Sequence, residues 1–265
     1  MRFSLRTMSV IGCTVADFAG MELTRLVSPS RESTEVTRRW MRRYGRQVLR
    51  LLGGRVLSPF RPGSFLPGQD ASGVGRVFVM NHRSMLDVFV YLSFVEANAL
   101  SRGDLAGWPI IGPVARRVGT VFVDRQDKAS GSAAVAAMTE ALRGGRGILV
   151  FPEGTTFLGD EVRPFRAGAF VAAERARAEV VPLGIAYQSE AACYGDESFG
   201  AHWRRLGSMP EVLLALEPGE PILPDADPEK LKEQTRDAVQ ALVRRARARL
   251  EASPPGNAGV PAAVP

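Results

Sequence analysis

The stretch Val77-Phe78-Val79-Met80-Asn81-His82-Arg83-Ser84-Met85-Leu86-Asp87-Val88-Phe89-Val90-Tyr91-Leu92 decides the architecture of this chain. It opens with four consecutive apolar residues, as a strand covered on both faces does. A polar turn follows, and then a second apolar run from Val88 to Leu92. Ser84-Met85-Leu86-Asp87 fits the S-x-x-[DE] capping box, so the turn predicts the start of a helix. Strand, turn and helix in direct succession are the unit from which α/β sheets are built.

The same turn sets a histidine and a carboxylate five residues apart, in a chain with only two histidines. Histidine, with an unperturbed pKa of about 6.5, accepts and returns a proton near neutral pH. Acyl transfer to a hydroxyl needs such a base, and a second group to orient it. Five residues along one continuous helix turn through roughly 140°, so His82 and Asp87 cannot face each other from a single helix. A histidine on the loop and an aspartate in the first helical turn can meet. The plainer reading also fits these residues: Asp87 caps the helix and His82 is a loop residue.

Further strand patterns fall at 76–80, 119–123, 147–151, 180–187 and 211–217, with helical patterns at about 85–97, 130–144 and 166–178. Asp225-Ala226-Asp227-Pro228 opens a last helix, with Leu231, Val239, Leu242, Val243 and Leu250 at helical spacing. The alternation predicts an α/β fold, a mixed sheet flanked by helices on both faces. Ligands of open α/β sheets bind at the carboxyl ends of strands, where His82 and Pro152-Glu153-Gly154-Thr155-Thr156 both fall. There is no P-loop, no G-x-G-x-x-G in a strand–helix context, no G-x-S-x-G elbow and no clustered metal ligands. His202, beside Trp203, Arg204 and Arg205, reads as a structural or surface residue.

Four blocks stand in order: Asn81-His82-Arg83-Ser84-Met85-Leu86-Asp87, Gly119 to Asp124-Arg125, Phe151-Pro152-Glu153-Gly154-Thr155, and Val181-Pro182-Leu183-Gly184. Together they resemble the glycerolipid acyltransferase family, typified by 1-acylglycerol-3-phosphate O-acyltransferase, over roughly residues 76–187. Ser101 to Gly112, with Leu105, Pro109 and Gly112, is similar to that family's segment before its second block. The resemblance implies that His82 is the general base and Asp87 its orienting partner. It further implies that Arg125, Glu153, Gly154 and Thr155 bind the head group of the acceptor. The residue types agree, because arginine offers a fixed fork of donors for phosphate or carboxylate. Glycine lets a ligand approach the backbone, and threonine hydroxyls bind oxyanions. Plainer roles also fit: Arg125 pairing with Asp124 or Asp127, Glu153 in a structural ion pair, and Gly154 as a turn.

One position departs from the family pattern. Many members carry arginine after F-P-E-G-T, whereas this chain has Thr156. Arg163, seven residues on, is the candidate replacement cation, so Thr156 and Arg163 complete the expected binding set. Thr156 also matches relatives that acylate lyso-ornithine lipids. The expected acceptor is therefore 1-acylglycerol-3-phosphate, in membrane phospholipid synthesis, with a lyso-ornithine lipid as the alternative. Acyl-CoA or acyl carrier protein is the expected co-substrate, with no resident cofactor or metal. A Ser84-dependent esterase and a catalytically silent membrane-binding module are remote readings. Ser84 lacks an elbow, and an intact His82 and Asp87 argue against silence.

The charge is unevenly spread. Residues 1–61 hold twelve Arg against four Asp or Glu, a net +8, while the remainder holds 22 Lys or Arg against 24 acidic residues, a net −2. Taken as a helix, Arg31–Gly53 gathers Val36, Trp40, Met41, Tyr44, Val48, Leu51 and Leu52 in one arc of about 160°. Arg38, Arg39, Arg42, Arg43, Arg46 and Arg50 fill the opposite arc. A basic amphipathic helix of this kind suits an anionic bilayer surface, with Trp40, Arg38, Arg42 and Arg46 as the expected membrane contacts. No nucleic-acid motif accompanies the arginines, so nucleic acid is not an expected partner. A solvated helix packed on the core is the plainer alternative.

Residues 5–27 read as a second helix, facing either lipid or core, and too interrupted by Asp17 and Glu22 to span a membrane. Cys13 and Cys193 form no framework, which fits a reducing compartment. These observations divide the chain into a membrane-associating helical segment (1–60), a catalytic domain (61–252) and a Pro/Gly/Ala-rich disordered tail (253–265). The expected location is the cytoplasmic face of the cell membrane, peripheral or monotopic.

Overall fold

In chain order, helices α1 (Arg2–Val27) and α2 (Ser33–Leu51) precede strands β1 (Gly54–Leu57) and β2 (Val77–Met80). Helix α3 (Leu86–Phe94), strands β3 (Asn98–Arg102) and β4 (Val121–Val123), helix α4 (Lys128–Arg143) and strand β5 (Ile148–Val150) follow. Helix α5 (Gly168–Ala176), strand β6 (Val180–Tyr187), helix α6 (Phe199–Ser208), strand β7 (Val212–Pro218) and helix α7 (Pro228–Glu251) complete the order. The structure is a computed structural model and describes residues 1–27, 33–61, 63–102, 107, 121–123 and 128–253.

The strands form one mixed sheet in the order β1-β7-β6-β2-β5-β3-β4. From β6 to β4 the neighbours run parallel, β7 pairs antiparallel with β6, and β1 runs parallel to β7. Strand β2 is central, with Val77 in register with Ile148 on one side and Val180 on the other. All four of its residues are buried, as are all eight of β6. Phe78 and Met80 face a core completed by α2 and α3, while Val77 and Val79 face one completed by α4, α5 and α7. That two-sided cover explains why both strands read as unbroken apolar runs rather than alternating ones.

At Gly184, in the Val-Pro-Leu-Gly block, an added Cβ would lie 2.5 Å from the backbone of Leu242. The glycine lets α7 approach the sheet at backbone contact. Strand β1, within the expected N-terminal segment, pairs Gly54 to Leu57 with Val212 to Ala215, so the sheet extends into that segment. Strand β3 also ends α3 earlier than the pattern predicted, and α6 is a helix the pattern did not mark.

The apolar arc of α2 is not presented to solvent, which corrects the membrane reading of that helix. Val36, Val48 and Leu52 are buried, Trp40, Met41, Tyr44 and Leu51 are half-buried, and Tyr44 meets Phe89 of α3 edge to face at 6.0 Å. Trp40 lies against Gly20 of α1 and donates Nε1–H to Thr24 Oγ1 at 3.2 Å. Its indole is packing between helices. Arg38 reaches Glu96 at 3.5 Å, and the Arg42 guanidinium sits 3.8 Å from the Phe65 ring centroid. Burial, with Arg42 and Arg50 close by, pulls the pKa of Arg46 down.

The exposed apolar surface lies instead on α1. Leu5, Met8, Ile11, Val15, Leu23, Leu26 and Val27 are exposed there, as is Met1 just before it. At 100° per residue these positions share an arc of about 160°. Arg2 is the only charged residue among the exposed positions of α1. Among the described residues no helix is long and apolar enough to cross a membrane.

Candidate active site

Strand β2 ends at Met80, and the next residue is a clamp. Asn81 Nδ2 donates to Ile185 O and Asn81 Oδ1 accepts from Ile185 N–H, both at 2.9 Å, so its amide extends the β2–β6 pairing with a side chain. His82 therefore leaves the sheet from a fixed point. Its Nδ1 lies 2.8 Å from Asp87 Oδ2, its ring stacks on Phe151 at 4.1 Å between centroids, and its side chain is 21% exposed. Among the described residues Nε2 has no hydrogen-bond partner. One nitrogen is thus committed to Asp87 and the other is left at the accessible edge.

Asp87 is wholly buried and both of its oxygens are engaged. Oδ2 accepts the backbone N–H groups of Arg83 at 2.7 Å and Ser84 at 2.9 Å, besides facing His82. Oδ1 accepts the Tyr187 hydroxyl at 2.6 Å. The bond from Ser84 N–H is the reciprocal half of a capping box, so the two readings of Asp87 coexist: it caps the turn and orients the histidine. Burial, then the charge of Asp87, pushes the Tyr187 hydroxyl well above its usual pKa, so it stays a donor. Oδ2 is thus fixed by two backbone donors while it faces the imidazole, and Oδ1 is fixed by the tyrosine hydroxyl.

The Phe-Pro-Glu-Gly-Thr block reaches the same end of the sheet from β5, but Glu153 faces inward. Its Oε1 accepts His82 N–H at 2.9 Å and Arg83 Nη1–H at 2.8 Å, and its Oε2 accepts Arg163 N–H at 2.9 Å. Arg83, 1% exposed, also donates to the carbonyls of His82, Gly159 and Glu161. This buried ion pair ties the His82 loop to residues 153–163. It matches the structural ion pair left open for Glu153, because its side chain is turned away from the accessible edge.

Gly154 has φ +84°, and a Cβ there would sit 2.6 Å from Arg166 Nε. What approaches this glycine is a guanidinium, so Arg166 joins the site unforeseen. Thr155 is exposed and Thr156 half-buried, and Phe157 N–H donates to His82 O at 3.2 Å, holding this loop beside the histidine. Arg163 pairs with Glu161 at 3.4 Å and leans over Phe157. Arg125, Leu105, Pro109, Gly112 and the tail after Ser253 lie outside the described residues.

Sequence reasoning missed Tyr187, Arg83 and Phe151. For Tyr187 a signal existed: it shares the parity of Val181, Leu183 and Ile185, the β6 residues packed toward the face that carries α3.

The fold and site define an α/β protein with a histidine–aspartate pair at the carboxyl end of its central parallel strand. Residues 68–186 match the family model described as Acyltransferase, as the four sequence blocks led one to expect. Lyso-ornithine lipid O-acyltransferase of Pseudomonas aeruginosa is 30% identical over 177 residues, covering 62% of this chain and 66% of the relative. The enzyme of the same name from Rhodobacter capsulatus is 37% identical over 105 residues, covering 40% and 37%. The 1-acyl-sn-glycerol-3-phosphate acyltransferase of Neisseria gonorrhoeae is 29% identical over 116 residues, covering 44% and 46%. The chain thus spans between about one third and two thirds of the length of these relatives. In fold it is similar to the crystal structure of the 1-acyl-sn-glycerophosphate acyltransferase of Thermotoga maritima. That match has a TM-score of 0.61 at 18% identity and covers 92% of this chain and 98% of that one.

Proposed function

We propose that this chain transfers a fatty acyl group from a thioester, acyl-CoA or acyl carrier protein, to a hydroxyl of a lysolipid. The observation that carries the reading is the 2.8 Å contact between His82 Nδ1 and buried Asp87, which leaves Nε2 as the reactive nitrogen. Nε2 takes the acceptor's hydroxyl proton as that oxygen bonds to the thioester carbonyl carbon. The imidazolium so formed lies against the Asp87 carboxylate, which stabilises it. The C–S bond then breaks, and the departing thiolate receives the proton from Nε2. Thiolates leave readily, so direct transfer needs no acyl-enzyme. Ser84 is wholly buried, which disfavours it as a nucleophile.

The acceptor in this reading is 1-acylglycerol-3-phosphate, feeding membrane phospholipid synthesis, with Arg125, Thr155, Thr156 and Arg163 toward its head group. A lyso-ornithine lipid is the second reading. Thr156 favours it, because many family members carry arginine there, and so do the names of the Pseudomonas and Rhodobacter relatives. The protein works at the cytoplasmic face of the membrane, without spanning it, and the uncharged exposed arc of α1 supports α1 as the element that enters lipid. The test is incubation of purified protein with labelled acyl-CoA or acyl carrier protein thioester and each lysolipid, followed by lipid separation. Label should pass to at least one acceptor. Failure with both acceptors and both donors refutes the reading.

A further inference from the structure

The second histidine stands behind the catalytic loop. His202 of α6 is wholly buried, with Nε2 3.3 Å from Ser84 Oγ and 3.4 Å from Met85 N. On its other side Nδ1 lies 3.2 Å from Glu197 Oε1, and its ring stacks on Tyr194 at 4.5 Å. Arg205 contacts Glu197 and also approaches Nδ1 at 3.2 Å. Burial pulls the pKa of His202 down to about 4, against the smaller opposing pull of Glu197. The imidazole is therefore neutral, and because the Met85 N–H beside Nε2 can only donate, the proton sits on Nδ1, which faces Glu197 Oε1. Nε2 is then an acceptor for the Ser84 hydroxyl and the Met85 N–H.

The loop it grips is the one that orients Asp87. Ser84 Oγ accepts Leu86 N–H at 3.3 Å, while the backbone N–H groups of Arg83 and Ser84 donate to Asp87 Oδ2. Serine, histidine and carboxylate stand in the order of a nucleophilic relay, yet Ser84 and His202 are both without exposure. No substrate reaches them, so the relay is a support. We propose that His202, held in one tautomer by Glu197, is a positioning residue for acyl transfer. It fixes the turn Ser84–Leu86 and through it the backbone donors that aim Asp87 at His82. This rests on the acyl-transfer reading above.

Three substitutions separate the roles. His202→Gln keeps an acceptor near the Nε2 position, His202→Asn keeps only a donor toward Glu197, and His202→Phe keeps only the stacking. His202→Gln should retain kcat within about threefold, while His202→Asn and His202→Phe lose about tenfold in kcat, with both KM values unchanged. Ser84→Ala should lose a similar factor, and combining it with His202→Asn should add little, because both break one contact. In each His202 variant His82 is the sole histidine, so its ring 15N–1H signals are assigned without ambiguity. The Nδ1–H signal should shift in the Asn and Phe variants and stay in place in Gln. Losses that appear in KM, that multiply in the double variant, or that leave the His82 signal unmoved would overturn the proposal. A variant that does not fold leaves Gln and Ser84→Ala to decide the same points. If the wild-type protein transfers no acyl group, the acyl-transfer reading fails. If it turns over and all variants match it, only the role of His202 fails.

Discussion

Replacing Tyr187 with phenylalanine removes one oxygen atom and, with it, the only hydrogen bond to Asp87 Oδ1 among the described residues. A hydrogen bond to a charged group contributes about 1.5–3 kcal/mol, and here the acceptor is a carboxylate with no exposure. The phenyl ring fills the same space without its hydroxyl, so no water-sized opening compensates. Tyr187→Phe should therefore lower stability by about 1.5–3 kcal/mol, or roughly 3–12 °C in Tm for a chain of this size. The catalytic loss has a separate origin. With Oδ1 released, the carboxylate can rotate about its own bond, and the Oδ2 contact to His82 is no longer held in one plane. We expect kcat to fall about tenfold with KM for both substrates unchanged, as for a group felt only in the transition state. Because the hydroxyl titrates far above neutrality, the deficit should be constant from pH 6 to pH 9. Thermal melts and thiol-release kinetics read both quantities. A variant with wild-type Tm and wild-type kcat would refute the assignment of Tyr187 as the group that holds Asp87.

The folded protein protonates His202 only near pH 4, whereas the unfolded chain does so near 6.5. Stability should then be full above about pH 6.5 and decline toward pH 4, by on the order of 3 kcal/mol from this group. His202→Gln should flatten that slope in denaturant titrations at pH 7 and 4.5, and an unaltered slope would exclude the histidine as its source. Changing Leu5, Met8, Val15 and Leu26 to Ser should cut binding to neutral and anionic vesicles by at least about a hundredfold with Tm preserved, since about 25 cal/mol per Å² of apolar contact is lost. Trp40→Ser should instead lower Tm, and equal sedimentation of the α1 variant with wild type would show that α1 does not meet lipid. Glu153→Ala strands the buried Arg83 guanidinium and should destabilise the fold by about 3–5 kcal/mol. A raised acceptor KM with unchanged stability would return Glu153 to the substrate.

The parallel core was readable because its strands are covered on both faces, which forces unbroken apolar runs such as Val77–Met80 and Val180–Tyr187. The His82–Asp87 contact was readable because loop and first helical turn are adjacent in sequence. Strand β1 was not, since Gly54–Leu57 is half-buried at the sheet edge and acquires its pairing from residues near 212. For Glu153 the sequence left a head-group role and a structural ion pair both open, because its residue type suits either, and only the position of Arg83 turns it inward. The arginine arc of α2 pointed to lipid, yet periodicity reports that one face is apolar and not what covers it. In this molecule α1 and α3 cover that face, and the bare apolar face passes to α1.

The most direct test of the central claim is turnover by His82→Ala with labelled acyl-CoA and the accepted lysolipid. His82→Ala gives up the ring's contacts with Asp87 and Phe151, but the backbone N–H still meets Glu153 and the carbonyl still accepts from Arg83 and Phe157. Alanine keeps these backbone bonds, so the variant should fold, and circular dichroism with a melt verifies that it does. The account predicts no acyl transfer above the protein-free rate. Near-normal turnover by the folded variant would contradict it.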